Sequence, residues 1–146
     1  MLKKIIRKIK DLGIDIEYDY FDGHGFFAIE KDKPILFIDE RLNEIETSLT
    51  LLHETAHFLN EDGDKYITNH FQNDNLEFEA NKYMIREVLK MLDEKYDFTT
   101  DTNYQQIIDN LNLPYNLDGI IIDEFNNIIS DKLGLTPYHE SDCFYE

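Results

Sequence analysis

At 146 residues the chain has the length of one ordinary domain, and its 42% hydrophobic and 13% aromatic content is that of a globular protein with one core and one active site. No stretch approaches the roughly 20 apolar residues that span a bilayer, so a membrane protein is not expected. The 31 acidic residues against 14 basic, a net charge of −17, oppose direct binding to nucleic acid, whose affinity for proteins comes largely from Lys and Arg neutralising phosphates.

Residues 1–13 form the first predicted element. Leu2, Ile5, Ile6, Ile9 and Leu12 keep a helical period that Gly13 closes. The positive start resembles a signal peptide, but charges interrupt every apolar pair and no small-residue cleavage site follows, so an amphipathic helix is expected. Ile14-Asp15-Ile16-Glu17-Tyr18 alternates strictly, Phe26-Phe27-Ala28-Ile29 follows a Gly-His-Gly turn, and Pro34-Ile35-Leu36-Phe37-Ile38 follows an Asp-Lys-Pro break; together they predict a small three-stranded sheet.

Asn43 and Glu46 have capping-box spacing, and Ile45, Leu49, Leu52, Ala56 and Leu59 then keep helical register up to Asn60. Residues 61–74 read as a polar surface loop. Leu76, Ala80, Met84, Val88, Met91 and Leu92 predict a second long helix. Asp101–Leu113 and Leu117–Leu133 read as helices separated by Pro114 and stopped by Gly134. The expectation is an α+β fold in a single domain over 1–146, with a core over 14–92, C-terminal helices over 100–133 and a frayed tail over 134–146. Cys143 is the single cysteine, so no internal disulfide is expected, and the expected compartment is the cytoplasm.

The chemistry is concentrated in His53-Glu54-Thr55-Ala56-His57, an HExxH motif inside the central helix. Two imidazoles four residues apart lie on one helix face and can ligate one tetrahedral Zn²⁺, while Glu54 points aside, where it can meet a water. At about 100° per residue the two histidines lie roughly 40° and 80° from Leu49, at the edge of the apolar stripe where core gives way to cleft. An accident of helical spacing would leave the same pair as half-buried, hydrogen-bonded imidazoles. What separates the readings is a third protein ligand that leaves a fourth position open.

Glu77-Phe78-Glu79-Ala80-Asn81 supplies one. On a helical wheel Glu77 falls with Ala80, Asn81, Met84 and Val88 on the inward face, whereas Glu79 falls roughly opposite, so Glu77 is the better ligand. Asn81, one turn later, can accept the free N–H of a ligating imidazole and fix its tautomer.

These two segments resemble the ImmA/IrrE family of metallo-endopeptidases and, more broadly, the gluzincins, over roughly residues 14–92. The resemblance implies a zincin-like fold in which a three-stranded sheet precedes the active-site helix. It further implies a zinc ion held by His53, His57 and Glu77, with Glu54 as base and Asn81 as support. The chain departs from the family at Ala56, where Gly is usual, and at Tyr83-Met84, where a Phe-Ala pair is usual. The implied activity is zinc-dependent peptide hydrolysis, with His70, Tyr66, Tyr83 and His24 as candidates for steadying the oxyanion. The implied substrate is a helix-turn-helix repressor of a phage or mobile element. A non-proteolytic zinc-binding regulator that binds a repressor or toxin partner is the alternative; an intact Glu54 argues against it, because a binding module needs no base.

Overall fold

A computed structural model of the chain describes residues 1–60, 70–113 and 115–134, with the backbone alone at 70–73 and at Tyr115. The architecture is α+β: five α-helices and one three-stranded sheet among the described residues. None of these helices is long and apolar enough to cross a membrane. The chain divides into two compact units, Met1–Glu87 and Val88–Glu146.

The first unit opens with α1 (Leu2–Asp11), whose Ile5 and Ile9 are buried. It ends where Gly13 takes a φ of +83°, a left-handed conformation that costs glycine nothing, and Ile14 N donates back to the Ile9 carbonyl. Strands β1 (Asp15–Asp19), β2 (Gly25–Glu30) and β3 (Lys33–Asp39) follow, each within one or two residues of the expected ends. Their order is β1-β3-β2, with β1 parallel and β2 antiparallel to β3. Lys31 and Asp32, both in the left-handed region at φ of 50° and 67°, close a two-residue hairpin of the kind that matches the right-handed twist of the strands.

Pro34 lies in the central strand, a position that ordinarily excludes proline. The register explains it. Asp39 N donates to the His24 carbonyl, so alternation makes Phe26–Phe37 and Ala28–Ile35 the hydrogen-bonded pairs and leaves Pro34, opposite Ile29, in a non-bonded one. Pairing with β1 begins only at Ile35, so no ladder bond is lost on that side either.

Helix α2 (Glu44–Leu59) starts with the expected capping box: Glu46 N donates to Asn43 Oδ1 at 2.8 Å, and Asn43 N donates to Glu46 Oε1 at 3.3 Å. It contacts the sheet on β2 and β3 and contacts α1 as well. The approach to the sheet is close at Gly25, where a Cβ would stand 2.8 Å from both the Phe37 carbonyl oxygen and Thr50 Cγ2. Ser48 and His57, about 180° apart on the helix, are both buried, so α2 is covered on opposite flanks. Its buried hydroxyls are satisfied within the helix: Ser48 Oγ donates to the Glu44 carbonyl at 2.8 Å and Thr55 Oγ1 to the Leu51 carbonyl at 2.6 Å.

Between β3 and α2 a clamp fixes the loop that precedes β2. Arg41 grips the buried Asp39 with Nε and an Nη at 3.0 and 2.8 Å, donates to the Phe21 carbonyl at 2.8 Å and stacks 4.1 Å from the centroid of Tyr20. The hydrogen bonds from Arg41 hold the Asp39 carboxyl below its ordinary 3.8. A carboxyl with a depressed folded pKa stabilises the fold above that ordinary value, and the contribution is lost as pH falls through the lower folded value. Asp39→Asn is therefore expected to unfold more easily than wild type at pH 7, with the difference closing on acidification below 3.8; urea midpoints across pH measure it.

Helix α3 (His70–Tyr96) begins six residues before the apolar period that announced it, because His70 to Asn75 is a polar stretch that a hydrophobic-period reading takes for loop. Within the first unit its Ala80, Met84 and Ile85 are buried.

In the second unit, α4 (Tyr104–Leu111) starts three residues later than expected, where the Asn103 side chain accepts from Gln105 N at 3.0 Å. It ends at Asn112, at a φ of 54°. A single 3-10 turn (Tyr115–Leu117) leads into α5 (Asp118–Lys132). Val88, Leu89, Phe98, Ile108, Ile121 and Phe125 are buried, with the Phe98 and Phe125 rings 5.4 Å apart. Lys132 fastens the end of α5 by pairing with Asp93 and, at 2.9 Å, with Asp97, and by donating to the Phe98 carbonyl at 2.7 Å. Of the expected tail, residues 135–146 lie outside the described residues.

Candidate metal centre

Helix α2 presents His53 and His57 one turn apart, and α3 brings Glu77 to them. His53 Nε2 lies 3.0 Å from Glu77 Oε2, His57 Nε2 lies 3.0 Å from Glu77 Oε1, and the two Nε2 atoms are 3.2 Å apart. The imidazole planes are nearly perpendicular, at 81°. Each ring thus turns one nitrogen toward the other and toward one carboxylate oxygen, and these residues could hold a metal ion.

The spacing tests the fit. Two ligands about 2.0–2.1 Å from one ion at a tetrahedral angle stand roughly 3.3 Å apart. The two imidazole nitrogens, 3.2 Å apart, approach that figure, and each stands 3.0 Å from its own oxygen of the Glu77 carboxylate. Two imidazole nitrogens and one carboxylate form a borderline donor set that suits zinc, and three protein ligands leave a tetrahedral position open.

The electrostatics agree with a ligand site. Burial lowers the pKa of His53 and outweighs the nearby Glu77, which favours the protonated ring; a neutral imidazole is the form that coordinates. The side chain of Asn81 hydrogen-bonds His53 and favours its protonated form, as an amide oxygen accepting a ring N–H does. His57 is buried and Glu77 half-exposed. Burial pushes the Glu54 carboxyl up to about 7, with His57 opposing the shift and Glu77 adding to it.

The structure therefore brings together His53, His57, Glu77 and Asn81, with Glu54 beside them on α2. Glu79 is exposed. Tyr83 is not in the cluster: six residues from Glu77, it stands about 120° around α3 and is hydrogen-bonded by Lys8 of α1, which also pairs with Glu87 at 3.0 Å. Nothing in the sequence pattern signalled this contact between α1 and α3. His24 is exposed and its electrostatic neighbour is Asp39. Tyr66 lies outside the described residues, and of His70 only the backbone, at the first residue of α3, is described.

An HExxH helix beneath a small sheet, with a glutamate delivered by the following helix, defines a metallopeptidase-type arrangement. Residues 6–106 match the family described as Peptidase_M78, IrrE N-terminal-like domain, and the chain belongs to that family. No curated protein and no solved structure matches it.

Proposed function

We propose that the protein is a zinc-dependent endopeptidase of zincin-like fold in which His53, His57 and Glu77 hold the ion. The convergence of these three side chains, with donor atoms 3.0–3.2 Å apart and Glu54 next to His53 on α2, carries the reading. When bound, the ion supplies Lewis-acid polarisation of a carbonyl and makes water acidic enough to lose a proton near neutral pH. The Glu54 carboxylate takes that proton and, once protonated, delivers it to the leaving amine. Asn81 holds the His53 ring in one tautomer. Replacing it with alanine is expected to weaken zinc affinity about 10–100-fold, as chelator competition measures.

The substrate class we propose is a helix-turn-helix repressor of a phage or mobile element, cleaved in the cytoplasm. The family resemblance supports it, and a net charge of −17 complements a basic DNA-binding protein. Elemental analysis and cleavage of such a repressor from the same genome test the proposal together. The expected result is one zinc per chain, loss of cleavage after chelation and recovery when zinc is restored. Cleavage that persists after the metal is removed, or a protein that takes up no zinc, overturns it.

A further inference from the structure

The metal centre leaves the outer face of the sheet unused. A sheet with one face on the core and the other in water reads as alternating apolar and polar residues. β1 follows that rule, with Asp15, Glu17 and Asp19 outward. β2 and β3 do not: Phe26-Phe27-Ala28-Ile29 and Ile35-Leu36-Phe37-Ile38 are unbroken apolar runs, the pattern of strands covered on both faces. Leu36 and Ile38 fill the inner face and are fully buried. On the outer face the register sets the half-buried Phe37 beside Phe26 and the buried Ile35 beside the half-buried Ala28. The Phe26 and Phe37 rings stack at 5.0 Å, Phe21 meets Phe26 edge-on at 5.4 Å, and Phe26 is 46% exposed.

Carboxylates line this stripe. Glu17 pairs with Phe37 on the β1 side, Asp19 follows it, and Glu30 ends β2. Two cations near this face are already engaged, Lys33 by Asp15 at 2.8 Å and Arg41 by Asp39 at 2.8 Å. Glu17 and Glu30 have no ion-pair partner among the described residues.

We propose that this face docks an amphipathic helix of a basic partner protein. Its apolar ridge lies on Phe26 and Phe37, and Lys or Arg stems on its flanks extend their charges to Glu17, Asp19 and Glu30. A helix is the element that covers a sheet face as a second layer. The carboxylates repel nucleic-acid phosphates, and they also disfavour a second copy of a chain with net charge −17. The chain's own residues 135–146, with three acidic residues and no Lys or Arg, are no better matched. The inference is independent of peptidase activity.

The test is amide NMR shift mapping with a Leu/Lys peptide of about 18 residues whose leucines recur at helical spacing, set against the same peptide with Glu for Lys. Shifts centred on Phe26, Ala28, Ile35 and Phe37 with the Lys peptide alone are expected. Phe26→Ser should weaken binding at least about tenfold, and so should Glu17→Lys combined with Glu30→Lys, which leaves the rings in place. If Phe26→Ser fails to fold, the charge variant decides. Shifts confined elsewhere, equal binding of the Glu peptide, unchanged affinity in the charge variant, or self-association through Phe26 seen in sedimentation each overturns the proposal.

Discussion

Glu54→Gln is expected to lower peptide cleavage about 10²–10⁴-fold while zinc content stays at that of the wild type. The amide keeps the size of the side chain and removes only its ability to take and return a proton. Glu54 is not one of the three converging donors, so the ligand set is untouched. Stability should be retained, because a neutral amide is easier to bury than a carboxylate in a site that already pushes the carboxyl up to about 7. Cleavage assays, zinc analysis and a melting curve on the same preparation separate the outcomes. A variant that cleaves at the wild-type rate with zinc bound sinks the assignment of Glu54 as base. A variant that loses cleavage yet still relieves repression at the wild-type level shows that binding alone is the mechanism.

The parts of the site that were legible in sequence are those fixed by local geometry. Imidazoles at i and i+4 share a helix face whatever the tertiary fold, and Glu77 rather than Glu79 was separable because Ala80, Met84 and Val88 mark the buried side of α3. The capping box at Asn43 and Glu46 was equally local. The order β1-β3-β2 was not legible, because strand runs carry no record of which neighbour they pair with.

Nor was the setting of α2. His57 was expected where core gives way to cleft, and it is 3% exposed. The reason lies in Thr47, Ser48, Thr50 and Thr55, all buried; the hydroxyls of Ser48 and Thr55 donate to carbonyls one turn back, so residues that score as polar behave as core. Hydrophobic periodicity saw one buried stripe on a helix that is covered on two flanks. The surroundings of Tyr83 were not legible for a different reason. Its partner Lys8 lies 75 positions earlier on another helix, and no local pattern reports such a contact.

His57→Ala should abolish the response of the protein to zinc. At free zinc about 1,000 times the dissociation constant, a ligand that binds only the folded state stabilises it by about 4 kcal/mol. For a chain of this size, at roughly 2–4 °C per kcal/mol, that is a rise in melting temperature of about 8–16 °C. The variant loses a nitrogen that stands 3.0 Å from Glu77 and 3.2 Å from His53, leaving two donors that cannot close the site. It also empties a buried volume, so its metal-free stability should fall by about 2–4 kcal/mol, in the manner of large-to-small core substitutions. Scanning calorimetry with zinc and with chelator reads the two effects separately. A lower baseline together with an undiminished zinc response would mean that His57 only packs, and the ion would then have to be held by other donors. A preserved baseline with the response lost would place the ring wholly in metal binding and remove it from the core of α2.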